Sequence, residues 1–324
     1  MPSPLVSVVM PVRDAQRFLE AAICSVLGQT LSDFELLLID DSSHDASLQI
    51  CEAHARSDSR IIVAHNPGAG LVNALNYGLR AAKGRYLARM DADDICAPPR
   101  FERQVRLLDS NESLGVVGSA AEIIDENGAV IGNLDPPNAP EQVRIELMRR
   151  NCVAHPTVMA RIEVLRMVGG YRAAFAGCED YDLWLRISER ADIANLSEPL
   201  LRYRVHEGQV TWMRIEQRIL SELAAVAAAT NRRAGKGDLT DDITAIDRRA
   251  VLNLGVASAE IDRQLQLRSI GTAVDALRLR QYESARMALA LALCQPGLPL
   301  RMKLHCWLLR ARLMGARATG GLIQ

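Results

Sequence analysis

Short apolar runs alternate with segments of helical spacing through the first two thirds of the chain. Leu5 to Val12 is apolar and of strand length, and Pro11 closes its ladder. Ala15 to Gln29 puts Phe18, Leu19, Ala22, Ile23, Val26 and Leu27 on one stripe, the spacing of an amphipathic helix. Phe34 to Ile39 reads as a second buried strand. The polar loop behind it, Asp40-Asp41-Ser42-Ser43-His44-Asp45, caps a helix that begins near Ala46. Arg60 to His65, Ala69 to Ala82 and Tyr86 to Met90 continue as strand, helix and strand. Strands that are apolar throughout and separated by helices predict a parallel sheet covered on both faces.

The pattern then changes. Pro98 to Asn111 is a helix with proline in its first turn. Leu114 to Ile124 and Val130 to Leu134 flank Asp125-Glu126-Asn127-Gly128, which predicts a hairpin and so a small antiparallel addition to the sheet. Ala139 to Arg150 is helical, and Val153 to Met159 is an interrupted strand. Ile162 to Val168 is a short helix that stops at Gly169-Gly170. A helix starting at Glu179 is anchored by Leu183, Trp184 and Ile187, and Ile193 to Leu196 and Leu200 to Val205 predict two short strands. From about Trp212 only helices are expected: Ile215 to Asn231, Asp242 to Leu254, Ser258 to Leu279, Tyr282 to Cys294 and Leu300 to Met314, with a break at Gly235-Lys236-Gly237-Asp238. The expected division is an α/β domain over residues 1–210 and a helical region over 211–324.

Composition narrows the classes. The 324 residues are 49% hydrophobic, enough for a sizeable core, and a formal net charge of -1 gives no reason to expect nucleic acid. The seven cysteines are scattered and form no CxxC, so neither a zinc framework nor a disulfide scaffold is indicated; reduced thiols in a cytoplasmic protein fit. Val6 to Val12 has no basic segment ahead of it and no cleavage site, so it reads as a strand rather than a signal peptide. Met287 to Cys294, the other long apolar run, falls far short of the roughly 20 residues that span a bilayer. Residues 268–324 hold nine Arg and Lys against two acids. A solvated basic face of a bundle, or a surface for anionic lipid or a partner, would carry that pattern.

The chemistry gathers at Arg89-Met90-Asp91-Ala92-Asp93-Asp94, where three carboxylates crowd the C-terminal end of a strand, the edge at which open α/β sheets bind ligands. Carboxylates this close repel one another unless a cation neutralises them, and a hard divalent ion shared with phosphate oxygens is the usual partner. A solvated acidic turn ahead of a helix is the alternative. A second acidic group, Glu179-Asp180-Tyr181-Asp182, opens a helix, where the macrodipole favours anions whether or not they do chemistry. A rival lies at Gly68-Ala69-Gly70-Leu71-Val72-Asn73, which follows a strand and opens a helix with Asp91 about twenty residues on. That is a near match to a dinucleotide fingerprint, which would make the protein an NAD(P)-binding oxidoreductase. It carries Asn73 in place of the third glycine, and it follows the third strand rather than the first.

Several stretches together resemble the family 2 glycosyltransferases of GT-A fold. They are Val6 to Val12; Ser25-Val26-Leu27-Gly28-Gln29-Thr30 ahead of Phe34-Glu35-Leu36; Ile39 to Asp45; Ala74-Leu75-Asn76; Ala88 to Asp94; and Gly169-Gly170-Tyr171 followed by Glu179 to Arg186. They stand in the family's order over roughly residues 4 to 210, and the likeness is to bacterial enzymes of exopolysaccharide, capsule and lipopolysaccharide synthesis. The resemblance implies a Rossmann-like, mostly parallel sheet followed by an α-helical C-terminal region. It implies that Pro11, Val12, Asp41, Asp91 and Ala92 contact the nucleotide, and that Asp93 with Asp91 holds Mn²⁺ or Mg²⁺. Asp180 would be the catalytic base, and Glu179, Trp184 and His206 would bind or support the acceptor.

The donor implied is a UDP-sugar, the acceptor a saccharide or lipid-linked saccharide, and the reaction a single displacement with inversion at the inner face of the cell membrane. Asp14 departs from the pattern, which more often has Asn there. The chain lacks the Gln-x-x-Arg-Trp motif of processive synthases, so one sugar is expected per reaction. A catalytically silent scaffold working through the helical tail is the remaining alternative. In that tail, Leu279 to Pro299 loosely resembles one tetratricopeptide-type helix pair.

Overall fold

The computed structural model describes residues 3–206, 214–240 and 242–295 and, of the last stretch, residues 302, 303, 305–310 and 313. They fall into two compact units, Met1–Arg204 and Val205–Gln324.

The first unit is built on one sheet of nine described strands, in the order β3-β2-β1-β4-β8-β6-β9-β5, with β7 on β6. The strands β1 (Val6–Val12), β2 (Phe34–Asp40), β3 (Ile61–His65) and β4 (Tyr86–Arg89) are mutually parallel. Every residue of β2 and β4 is buried, as continuously apolar strands require when both faces are covered. Helices α1 (Leu19–Leu27), α2 (Ser47–Ser57) and α3 (Leu71–Ala81) make the crossovers. On one face Val8, Met10 and Val12 pack in a core with Ala22, Ile23 and Val26 of α1 and with Phe101, Val105 and Leu108 of α4 (Arg100–Ser110). On the other face α3 lies so close to Val9 that a Cβ on Gly78 would stand 2.4 Å from Val9 Cγ1.

Beyond β4 the sheet turns mixed. β8 (Met159–Arg161) runs antiparallel to both β4 and β6 (Leu114–Ile124), and β6 is parallel to β9 (Asp192–Arg204). The hairpin at Asp125 to Gly128 forms as expected, with β7 (Val130–Leu134) antiparallel to β6. Ile95-Cys96, to which the pattern assigns no element, forms strand β5, paired antiparallel with Arg202 and Leu201. Two expectations need correction. The two short strands predicted after residue 192 are one strand, β9, which crosses Glu198-Pro199 by shifting register against β6. The interrupted strand at Val153 to Met159 is a 3₁₀ turn over His155–Thr157, and β8 begins only at Met159. The helices α5 (Pro140–Leu147), α6 (Ile162–Met167) and α7 (Glu179–Ile187) complete the unit.

The second unit contains α8 (Ile215–Arg233), α9 (Arg248–Asn253), α10 (Ser258–Arg278) and α11 (Tyr282–Cys294). The helix expected from Asp242 starts only at Arg248, where the Asp247 carboxylate accepts the Ala250 N–H and caps it. The helix-pair likeness at Leu279 to Pro299 is also corrected as far as residue 295. Tyr282 to Cys294 is a single helix, with Ala285, Ala288, Leu289 and Ala292 on its buried face; residues 296–301 lie outside the described residues. Among the described residues no helix is long and apolar enough to cross a membrane.

Candidate active site

Strand order reverses between β1 and β4, and the candidate residues collect at the C-terminal ends of these strands, the topological switch point of an open sheet. Pro11 and Val12 close β1. The Val12 carbonyl accepts the Asp41 N–H at 2.8 Å, so the ends of β1 and β2 are tied where the nucleotide residues were expected. Asp41 is only 5% exposed. Its carboxylate accepts the Asn66 Nδ2 at 2.6 Å and the Gly70 N–H at 3.0 Å, with Arg13 Nη1 at 3.4 Å. The loops beside it are bent: Asp14 (φ 46°) and Ser42 (φ 60°) both adopt the left-handed conformation. Asp and Asn tolerate that region far better than most side chains, which accounts for the departure at position 14. The Asp14 carboxylate accepts the His44 N–H at 2.7 Å.

The dinucleotide reading of Gly68 to Asn73 is thereby corrected. The Gly70 N–H, at φ 86°, is committed to Asp41 rather than to a pyrophosphate. Asn73 folds back onto the Ala69 carbonyl, and the loop leaves β3, at the rim of the sheet away from the switch point.

After β4 the acidic turn brings one carboxylate oxygen each from Asp91, Asp93 and Asp94 within 4.8 Å of one another. Ala92, between them, is buried. Asp94 was not among the expected ligands. It is fully buried; its Oδ1 accepts the Arg204 N–H at 2.8 Å, and its Oδ2 has no hydrogen-bond partner among the described residues. Burial, then the charges of Asp91 and Asp93, push the Asp94 carboxyl well above the usual carboxylate range. Burial raises that of Asp91 too, against the pull of Arg89. An orphaned carboxylate oxygen in a cluster that resists ionising fits a divalent cation, and the all-oxygen donor set suits Mg²⁺ or Mn²⁺.

Three arginines hold this turn. Arg89 is buried and ion-paired with Asp91, while its Nε is without a hydrogen-bond partner among the described residues. Burial works against its charge, yet Asp91 and Asp94 raise its pKa overall. Arg100, from α4, is fully buried with no carboxylate on it; it donates to the carbonyls of Arg89 (2.8 Å) and Val158 (3.1 Å) and to Gln104 Oε1 (3.1 Å). Arg204, at the end of β9, donates to the carbonyls of Asp93, Asp125 and Glu126 and lies over the Phe18 ring. It thus locks the turn to the β6–β7 hairpin.

The second acidic group opens α7. Asp182 serves structure alone: it is 1% exposed and ion-paired with Arg186, whose guanidinium also donates to the Val168 and Gly170 carbonyls. The Gly169-Gly170-Tyr171 turn is pinned again from α3, where Asn76 exchanges two hydrogen bonds with the Tyr171 backbone. Asp180 is half-buried and accepts the Asn151 Nδ2 at 2.8 Å. Glu179 is buried and accepts the Gly177 N–H at 2.6 Å. Burial, then the charge of Asp180, push Glu179 up to about 7. Asp180 is raised too, by burial, against the hydrogen bond from Asn151. Behind the pair, His155 Nε2 lies 2.9 Å from the Tyr171 hydroxyl and its ring packs edge-on against Trp184. Burial, then the charge of Arg89, keep His155 neutral.

Arg89 is ion-paired with Asp91, and its positive charge partly opposes the upward shift that burial gives Glu179 and Asp180. Trp184, expected at the acceptor side, is fully buried with its ring against His155. His206 belongs to the second unit, two residues past β9. Sequence reasoning assigned no role to Arg89, Arg100, Asn151, His155, Tyr171 or Arg204. The available signal was charge in unexpected places: arginines at the ends of β4 and β9 and one facing inward from α4.

The family model "Glycosyl transferase family 2" matches residues 7–167. The chain is 38% identical over 207 residues to the O-antigen biosynthesis glycosyltransferase WbnJ of Escherichia coli, covering 62% of this chain and 80% of that protein. It is 36% identical to the putative glycosyltransferase EpsE of Bacillus subtilis, covering 62% of this chain and 73% of that one. Among solved structures, S. aureus TarS 1-349 in complex with UDP aligns with TM-score 0.57 at 16% identity over 88% of this chain and 90% of that chain. The mannosyltransferase PcManGT from Pyrobaculum calidifontis, in complex with GDP-Man and Mn²⁺, aligns with TM-score 0.53 at 16% identity over 100% and 82%.

Proposed function

The chain belongs to glycosyl transferase family 2, and from that premise we propose that it is a metal-assisted, inverting transferase that moves one sugar from a UDP-sugar to a saccharide or lipid-linked saccharide during cell-surface polysaccharide synthesis. The observation that carries this reading is the acidic turn after β4, where Asp91, Asp93 and Asp94 converge on a set of oxygens suited to a hard metal ion; Asp180, held by Asn151 at the start of α7, supplies the candidate base. The names of the O-antigen and UDP-bound relatives support the acceptor class and the donor. Residues 1–210 form the GT-A transferase domain and 211–324 a helical appendage. The protein works in the cytoplasm, at the inner face of the membrane.

In this reading Val12 and Asp41 frame the base and Pro11 lines its pocket with backbone groups. Asp91, Asp93 and Asp94 would hold a Mn²⁺ or Mg²⁺, which when bound would supply positive charge for the departing diphosphate, with Ala92 against the ribose. Asp180, held by Asn151, takes the proton of the acceptor hydroxyl as that oxygen attacks the anomeric carbon from the side opposite the leaving group. Glu179 positions the acceptor. One base with one leaving group needs no covalent intermediate, so an α-linked donor gives a β-glycoside. The intact Asp180 and acidic turn argue against a silent scaffold.

The test is a thermal-shift panel of UDP, GDP and UDP-sugars with and without Mn²⁺, followed by turnover. A ligand that binds only the folded state raises the midpoint. UDP-sugars should raise it more with Mn²⁺, and Asp93→Ala should abolish that increment without lowering the unliganded midpoint. Undiminished Mn²⁺-stimulated turnover in Asp93→Ala would sink the metal assignment.

A further inference from the structure

A second group of metal-ligating side chains lies apart from the acidic turn, on the outer surface of α1 and α2. Glu20 and Cys24 are four residues apart on α1, hence on one face, and His54 reaches them from the last turn of α2. His54 Nε2 is 2.9 Å from Glu20 Oε2, and Cys24 Sγ is 3.9 Å from Glu20 Oε1. A donor atom from each of the three lies within 4.8 Å of the others. Bonds of about 2.0–2.3 Å put the donors of a tetrahedral zinc ion about 3.3–3.8 Å apart, so rotamer adjustment alone closes the set. We infer that Glu20, Cys24 and His54 form a surface site for a borderline-soft divalent cation such as Zn²⁺, with water as fourth ligand, clasping α1 to α2.

The chemistry separates this site from the acidic turn. Thiolate, imidazole and carboxylate select zinc-like ions, whereas three carboxylates select Mg²⁺ or Mn²⁺. Glu20 and Cys24 are exposed and His54 is half-buried, so an ion can enter without opening the fold. The Cys24 thiol is raised by burial and by the charge of Glu20, so the entering ion must displace its proton. α1 and α2 follow β1 and β2, whose ends carry Val12 and Asp41. The clasp therefore braces the strands under the nucleotide side of the sheet.

The experiment is a titration of the full chain with Co²⁺, followed by its sulfur-to-cobalt charge-transfer absorption, with Zn²⁺ as competitor. One equivalent of Co²⁺ should give the band and Zn²⁺ should remove it. Cys24→Ser should abolish the band, and His54→Ala should weaken binding about tenfold or more, at least the cost of losing a ligand's own support. Asp93→Ala should leave the titration unchanged, which separates this site from the acidic turn. Cys24 and His54 lie on the outer sides of α1 and α2, and unchanged circular dichroism verifies that all three variants are folded. No band in the wild type, or a band that persists in Cys24→Ser, would overturn the site, the latter by tracing the signal to another thiol such as the exposed Cys294.

Discussion

Asp180 can be told apart from a helix cap by one substitution. Asp180→Asn keeps the shape and the capping ability, since Asn caps nearly as well as Asp, but it cannot accept a proton. It should bind UDP-sugar and Mn²⁺ normally, melt within a few degrees of the wild type and transfer sugar at least a hundredfold more slowly, within the roughly 10²–10⁴-fold that loss of a general base costs. Near-normal turnover would move the search for the base to Glu179. The pair also predicts a pH dependence. Glu179 titrates near 7 in the fold and near the ordinary 4.5 when unfolded, because burial and the Asp180 charge favour its protonated form. A raised carboxyl contributes stability that is complete below the unfolded value and is lost as pH rises through the folded one. The melting temperature should thus decline between about pH 4.5 and 7 in the wild type and decline less in Glu179→Gln. Activity should rise with pH as the base ionises. Burial raises Asp180 and Arg89 is among the groups that oppose it, so removing that charge in Arg89→Met should move the midpoint of the kcat/KM profile upward, while Arg89→Lys leaves it in place. An unmoved midpoint in Arg89→Met would remove the link between the two acidic groups.

At the scale of elements, α3 is the piece with least room. Gly78 faces Val9 with no space for a methyl group, and Asn76, two residues earlier on the same helix, holds the Tyr171 backbone. Gly78→Ala must lift α3 from β1, an overpacking that costs about 1–3 kcal/mol, and chemical denaturation should show it as a lower midpoint at unchanged slope. No loss of stability would mean that α3 shifts freely. The parallel half of the sheet, and α3 itself, were legible in the sequence because their strands are apolar throughout and their helices carry one stripe. Elements held by polar partners were not. β5 is two residues long and exists by pairing with β9, and β8 is preceded by a 3₁₀ turn whose Thr157 carbonyl is held by Gln104. In the same way the acidic residues were visible as motifs, whereas their holders were not. Arg100 and Arg204 lie 6 and 110 positions from Asp94 (100 − 94 and 204 − 94), and only the fold brings their guanidinium groups to the turn. Asn151 reaches Asp180 from 29 positions away, and nothing about an isolated asparagine announces that.

For the whole molecule, the proposal of a saccharide or lipid-linked acceptor turns attention to the helical unit. Its basic character is smaller than composition suggests. Arg268 is ion-paired with Glu222, Arg278 with Asp275 and Arg286 with Glu283, so much of the positive charge is spent inside the unit. What remains is placed differently. Around Lys303 and Arg310 the chain exposes Trp307 (59%) and Leu308 (56%), with the Arg310 guanidinium 5.4 Å from the centre of the Trp307 ring. An exposed indole beside basic residues is the composition of a helix lying in the headgroup layer, where the ring sits at the interface and the cations meet anionic lipid. Such attraction is worth roughly 1 kcal/mol per basic residue and is screened by salt, while burial of the indole is not. The full chain should therefore float with anionic vesicles at low salt, partly release at high salt, and bind more weakly at both in Trp307→Ala. Equal recovery with neutral vesicles, or none with either kind, would leave residues 268–324 as a bundle or a partner surface and remove the membrane from the account.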